Sequence, residues 1–242
     1  MPRFFLAPHL WQSSTFLDEE ESRHASQVLR MRVGDNIEVF DGEGRRAAAK
    51  ITATAKNQVQ IQLSPAEQSP PTQPRITLVQ AIPKGKTFEW IIEKAVELGV
   101  SEVIPLITRH TVVQYDASEA AKKAAKWQRV AMEACKQCGQ DHLPIIREPI
   151  SWASWISSVH RGLCIIASLA EGAGRLRLLM EKNQPITEAT ILIGPEGDFS
   201  AEETSQALAQ GFQPVTLGRI ILRAETAAIF ALSSLRCFEM ED

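Results

Sequence analysis

The chain has 242 residues, 44% of them hydrophobic and 23% charged, with a formal net charge of −3. That length and balance fit one large or two modest globular domains with ample core. The slightly acidic total excludes a uniformly basic nucleic-acid binder but leaves room for a local basic patch.

In chain order, "MPRFFLAPHLWQ" has an apolar stretch broken by Pro8 and His9 and lacks the apolar centre of a signal peptide. No later segment is long and apolar enough to span a bilayer, so a cytoplasmic protein is expected. A short helix is predicted around His24–Leu29. Period-two alternation then predicts three half-buried strands, at Ile37 and Val39, at Ala47, Ala49, Ile51 and Ala53, and at Val59, Ile61 and Leu63. "DGEG" (41–44) supplies the turn between the first two. Several short strands and one helix predict a small β-barrel domain over residues 1–70. "SPAEQSPPTQP" (64–74), with four prolines among polar residues, reads as a semi-stiff linker to a second domain over 74–242.

Beyond it the pattern changes. "RITLVQAI" (75–82) predicts a buried strand, and "TFEWIIEKAVELG" (87–99) an amphipathic helix with Phe88, Ile91, Ile92, Ala95 and Val96 on its apolar stripe. "SEVIPLI" is a strand and a long helix spans Glu119 to Gln137. On it Trp127, Ala131, Ala134, Cys135 and Cys138 share one face, which makes the "CKQC" cysteines packing residues; paired histidines or a second such motif are lacking, and no metal is expected. Strands follow at 162–169, 189–194 and 213–218, with helices after the last two, from near Ser200 and Glu225. Strand–helix alternation predicts an α/β domain with a parallel sheet covered on both faces.

Two loops stand out. In "ILIGPEGDFSAEE" (191–203) a strand gives way to a helix through Gly194, Pro195, Glu196 and Gly197. Pro195 extends Gly194, Gly197 is expected to take positive φ, and Ser200 with Glu203 forms a capping box. In "LGRIILRAETAA" (217–228) a second strand end carries Arg219, Arg223, Glu225 and Thr226 into an apolar helix. Glu225 suits the positive end of that helix and Arg223 does not, so Arg223 needs Glu225, Glu196 or an anionic ligand as partner. Ligands of such sheets bind at the carboxyl ends of strands, where both loops lie. GxGxxG, Walker A, GxSxG and HExxH patterns are all absent, so the expected ligand is nucleoside-like and lacks a phosphate cradle.

The pieces "HASQVLRMRVGD" (24–35), "FDGEG" (40–44), "KGKTFEWIIEKAVELGV" (84–100), "EACKQCGQ" (133–140), "LIGPEGDFSAEE" (192–203) and "LGRIILRAETAA" (217–228) run in order over nearly the whole chain. Together they resemble the bacterial ribosomal RNA small subunit methyltransferase E family, of the SPOUT class. The resemblance implies a PUA-like N-terminal β-barrel domain and a C-terminal SPOUT-type α/β domain with a trefoil knot. It also implies a homodimer that takes S-adenosyl-L-methionine and methylates N3 of uridine 1498 in the 16S rRNA of the small ribosomal subunit. Two positions depart from the family's habit: Gln140 stands where arginine is common, and Asp198 where a third glycine is common.

On this footing the cofactor is expected on Leu169, Ile193, Gly194, Pro195, Glu196, Gly197, Leu217, Gly218, Ile221, Leu222 and Thr226. Arg223 would stabilise the negative charge that spreads over the uracil carbonyls as N3 loses its proton; Glu225, Glu196 or a water would accept that proton, and Glu225 would otherwise only orient Arg223. RNA contacts are expected at Arg23, Arg30, Arg32, Lys84 and Lys86, with a further basic side on the long helix at Lys122, Lys126, Arg129 and Lys136. The rival readings are a SPOUT methyltransferase with another RNA target and a nonenzymatic RNA-binding dimer.

Overall fold

The computed structural model describes residues 1–55, 57–170 and 172–239. The chain divides into two compact units, Met1–Pro71 with Met132–Leu143, and Thr72–Ala131 with Pro144–Asp242.

The first unit is built on strands β1 (Arg3–Phe5), β2 (Ser14–Phe16), β3 (Asn36–Phe40), β4 (Arg45–Ala55), β5 (Gln58–Leu63) and β6 (Glu67–Gln68). They form one sheet in the order β1-β3-β4-β5-β2, with β6 added on β4. Only the β1/β3 pair is parallel. The three predicted strands are β3, β4 and β5, and their alternate residues Ile37, Val39, Ala47, Ala49, Ile51, Val59 and Ile61 fill the core with Phe4 and Leu6. Ala53 breaks the predicted alternation and is exposed, because the register with β5 shifts between Ile51 and Ala53. A bulge of this kind turns every later side chain to the other face. The segment predicted as linker contributes β6, so its first part is sheet. The helix starts earlier than predicted, as α1 (Glu19–Arg23), because the Asp18 carboxylate caps it by accepting from the Glu21 N–H at 2.8 Å. It continues as a π-helical turn over His24–Val28.

Arg3 fastens this unit. Its guanidinium, almost wholly buried, pairs with Glu38 and Asp141 and donates to the carbonyls of Cys135 (2.9 Å) and Gln140 (3.0 Å), while lying 4.4 Å above the Phe40 ring. Gln140, one of the two departures, thus serves here through its backbone, and its side-chain oxygen accepts from the His142 N–H at 3.3 Å.

In the second unit, β7 (Arg75–Ala81), β8 (Glu102–Ile107), β9 (Ile145–Ile146), β10 (Ile150–Ser151), β11 (Leu163–Ala167), β12 (Gly174–Arg175), β13 (Glu188–Ile193) and β14 (Gln213–Thr216) form a wholly parallel sheet. Its order is β10-β8-β7-β13-β11-β14-β12, with β9 on β8. The helices are α2 (Thr87–Glu97), α3 (Ala117–Cys138, whose residues from Met132 count with the first unit), α4 (Trp152–Ile156), α5 (Leu176–Lys182), α6 (Ala201–Ala209) and α7 (Ala224–Glu239). α2 buries the five residues its stripe predicted. α7 packs on α2 and on β7 and β13. On the other face α4 and α6 close an aromatic-rich core around Val79, Leu106, Ile166, Leu192, Trp155 and Phe212. Both faces are therefore covered, as a parallel sheet requires.

Topology creates the site. From β7 the chain moves outward through β8 to β10, then crosses to β11, and β13 returns between β7 and β11. Register sets Ile193 beside Gln80, Leu192 beside Ile166 and Ala167 beside Val215. The carboxyl ends of β7, β13, β11 and β14 therefore lie side by side at the place where strand order reverses, the usual ligand position in such sheets.

Candidate functional site

The loops leaving β11, β13 and β14 enclose a cavity of about 260 Å³. Its apolar lining includes Ala167, Ile193, Leu217, Leu222, Ala224 and Ala227, and its polar lining Ser168, Glu196, Asp198, Thr216 and Arg223. The two bends singled out in the sequence are thus two walls of one space. Of the residues expected around a cofactor, Leu169, Ile193, Gly194, Pro195, Glu196, Leu217, Gly218, Ile221 and Leu222 line it. Gly197 and Thr226 do not, and neither does Glu225. Ala167, Ser168, Thr216, Ile220 and, from α7, Ala224 and Ala227 line it without having been singled out.

The first bend is closed by Asp198, whose N–H donates to the Pro195 carbonyl at 2.9 Å. The positive φ expected at Gly197 lies one residue later, at Asp198, with φ 56°. Asp198 tolerates this conformation because its own carboxylate accepts from the Phe199 N–H at 2.8 Å. Glycine fits 194 for a different reason: a Cβ there would lie 3.1 Å from the Asp198 carboxylate and 3.2 Å from the Phe199 ring, close enough that these side chains would have to give way. The predicted capping box is formed, with Ser200 and Glu203 each accepting from the other's backbone N–H at 3.2 and 2.8 Å. In the second bend Gly218, at φ 140°, presents bare backbone to open space beside the cavity.

The Asp198 geometry gives a direct test. Asp198→Gly keeps the left-handed bend and is expected to stay within about 1 kcal/mol of the parent. Asp198→Val forces a β-branched residue into that bend and deletes the Phe199 bond, with an expected cost of roughly 2 kcal/mol. Urea unfolding of the two variants measures both; equal stabilities would refute the account of this turn.

Arg223 lines the cavity, is exposed, and immediately precedes α7. Among the described residues its guanidinium has no hydrogen-bond or ion-pair partner. Neither carboxylate weighed in the sequence pairs with it. Glu196 accepts from the Lys84 N–H at 3.1 Å, which ties the bend after β13 to the loop after β7. Glu225 sits half-buried in the first turn of α7. Lys84 and Lys86 are exposed on the loop after β7, and Arg23, Arg30 and Arg32 are exposed in the first unit, Arg30 with φ 55°. The basic side expected on the long helix is partly consumed: Lys126 pairs with Glu89, and Lys136 is held by Glu21 and Glu133.

Cys135 is buried in the packing face, and burial pushes its thiol up to about 12, so it carries no thiolate at neutral pH. Cys138 is exposed, contrary to the shared face expected for it, because it lies in the last turn of α3. Among the described residues no group of three His, Cys, Asp or Glu side chains is placed to hold a metal ion, and no helix is long and apolar enough to cross a membrane.

Residues 70–236 match the family model described as an RNA methyltransferase domain, and residues 17–64 that of an RNA methyltransferase PUA domain. The ribosomal RNA small subunit methyltransferase E of Synechocystis is 30% identical over 96% of this chain and 76% of its own length. The chain belongs to the ribosomal RNA small subunit methyltransferase E family. The family member of Bacillus subtilis is 28% identical over 97% of this chain and 96% of its own. Two solved structures superpose with a TM-score of 0.89, each covering 98% of both chains. One is a methyltransferase of Legionella pneumophila with bound cofactor SAM (32% identical), the other a ribosomal RNA small subunit methyltransferase E of Neisseria gonorrhoeae bound to S-adenosyl methionine (31%). The first unit holds the match to the PUA domain, and the parallel sheet that to the methyltransferase domain.

Proposed function

We propose that this chain is an S-adenosylmethionine-dependent methyltransferase of the cytoplasm acting on N3 of uridine 1498 in 16S rRNA. The observation that carries the reading is the single cavity walled by both bends, with the unpartnered Arg223 at its edge. Its lining fits the cofactor: apolar side chains for an adenine, bare backbone at Gly218 for close approach, and Glu196 and Asp198 near a sulfonium charge. When bound, the cofactor supplies an activated methyl group on a cationic sulfur. The protein's part is to hold uracil in line with that methyl and to stabilise the charge that its carbonyl oxygens gain as the N3 proton leaves. Arg223 can do so because a guanidinium stays protonated and offers forked donors. Glu225 and Glu196 are carboxylates close in sequence to the cavity wall and are the candidates to receive the proton.

The reading extends to the SPOUT knot, supported by the return of β13 between β7 and β11. It extends also to a homodimer, supported by the exposed Ile220, Ile221, Leu178 and Phe230 of the second unit. RNA is assigned to Arg23, Arg30 and Arg32, which flank the exposed Val28, Leu29 and Val33, and to Lys84 and Lys86 beside the cavity.

The test is methylation of small ribosomal subunits from cells lacking the gene, with the cofactor labelled in its methyl group and the product located by mass spectrometry. N3-methyluridine at 1498 is expected. Methyl on another nucleotide points to a different RNA target, and RNA binding with no transfer to the nonenzymatic reading. In the same assay RNA affinity should fall as salt rises, less steeply for Lys84→Ala/Lys86→Ala.

A further inference from the structure

We propose that His110 is a positioning residue for the cofactor-side wall. Its ring holds the left-handed bend at Asp198 from outside the cavity and so fixes the backbone from Gly194 to Asp198. The inference rests on the assignment of the cavity as the S-adenosylmethionine site.

His110 sits on a turn built to hold it still. After β8, the Thr111 N–H donates to the Thr108 carbonyl at 3.1 Å, the Thr108 N–H donates to the Thr111 hydroxyl at 3.0 Å, and the two hydroxyls lie 2.9 Å apart. Thr108 is buried, so the turn is anchored at its base. It is docked at its tip as well. The Arg109 N–H donates at 2.8 Å to Glu203, a buried carboxylate whose other oxygen accepts from the Ser200 N–H at the start of α6. The next residue reaches the bend: His110 Nδ1 lies 2.9 Å from the Asp198 carbonyl oxygen. A carbonyl only accepts, so Nδ1 carries the hydrogen. Gly197 completes the fit, since a Cβ there would lie 3.2 Å from the His110 Cβ and 3.4 Å from its Cγ. The histidine is therefore seated against a glycine and bonded to the one residue of the bend that holds positive φ, a conformation L-residues disfavour.

This accounts for Gly197, which belongs to the signature loop but does not line the cavity. Gly194, Pro195, Glu196 and Asp198 do line it, whereas Arg223 belongs to the other bend, to which His110 makes no hydrogen bond among the described residues. Loss of the His110 bond should therefore loosen cofactor binding and spare the step at Arg223.

Calorimetry with S-adenosylmethionine and turnover at saturating cofactor test this. His110→Ala should weaken binding about tenfold with kcat within about twofold. His110→Asn places an N–H the same number of bonds from the backbone as Nδ1 and should restore affinity to within about threefold; His110→Gln places it one bond farther and should not. Melting of the ligand-free variants reports folding, and if the alanine variant is unfolded the asparagine and glutamine pair decides. The proposal is overturned if the alanine variant binds normally, if asparagine and glutamine behave alike, or if kcat falls with affinity intact. Ser168→Phe, which fills the cavity, separates the two layers. If it still binds the cofactor, the cavity is not the site and both readings fall. If it does not bind while His110→Ala binds as tightly as the parent, only the role of His110 falls.

Discussion

Arg223→Ala is expected to lower turnover at saturating substrates by on the order of 10²-fold or more, while cofactor affinity stays within about threefold. The expectation follows from an electrostatic misfit. α7 begins at Ala224, so Arg223 lies at the positive end of a 16-residue helix. A cation there is disfavoured by about 0.3–1 kcal/mol, and among the described residues no carboxylate offsets it. Such an arginine is out of place until an anion arrives, and the uracil ring carries its negative charge only as N3 gives up its proton. An interaction made mainly in the transition state changes kcat more than binding. The same misfit predicts that Arg223→Ala melts no lower than the parent, a combination of intact fold and lost turnover that a structural arginine would not give. Arg223→Lys should recover only part of the rate, because an ammonium lacks the planar fork that can address a ring oxygen with two donors. Loss of cofactor and RNA affinity with normal turnover would remove Arg223 from this role. Since Glu225 makes no pair with Arg223, Glu225→Gln separates its two assigned roles: little change in rate argues against it as proton acceptor.

How much of this could be read from the residues depended on the range of the interaction. The α2 stripe, the β3 to β5 alternation and the Ser200–Glu203 box are local, set by spacing within one element; the stripe and the box are present as expected, and the alternation holds except at Ala53, beyond the bulge in β4. The strands β9, β10 and β12, of two residues each, lie below any periodicity window, and β1 and β2, of three each, look like loop until a partner strand is known. Glycine is the default for positive φ and points to Gly197, one position before the residue that holds it. A side chain that bonds to the next N–H, as Asp198 does to Phe199, makes an equal claim that local sequence cannot rank. In the site the same division holds. The lining from Ile193 to Glu196 is contiguous in sequence, and that from Leu217 to Arg223 is broken only at Arg219; all of it lies in the two loops that stand out in the sequence, and Ile220 alone is not singled out there. Ser168, Ala227 and His110 belong to other strand ends or helices and are brought in only by the strand order, which a pattern of alternating elements leaves open.

Arg3→Ala is expected to cost about 3–5 kcal/mol and to act on the first unit. Nothing local in the sequence sets Arg3 apart, yet its side chain and that of Asp141 are each 6% exposed, and four acceptors, one from β3 and three from residues 135–141, converge on it. Removing it leaves the Asp141 carboxylate with the Ser69 hydroxyl at 2.6 Å and the more distant, exposed Arg46 guanidinium at 3.8 Å, takes one donor from the Cys135 carbonyl, which keeps the Gly139 N–H at 3.1 Å, and takes the Arg3 donor from the Gln140 carbonyl. A buried charge that loses its closest partner is what makes such deletions expensive, whereas the intact pair adds little over apolar residues of the same size. Arg3→Lys should recover less than half of the loss, because one ammonium cannot span Glu38, Asp141 and two carbonyls at once. Pairing Arg3→Met with Asp141→Leu removes both charges and should be milder than either single change. Urea unfolding gives the size, and hydrogen exchange at β1 and β3 gives the location, since a loss confined to the first unit leaves the amides of β7 and β13 protected. A cost below about 1 kcal/mol for Arg3→Ala would mean that the Phe4 and Leu6 core holds β1 in place unaided.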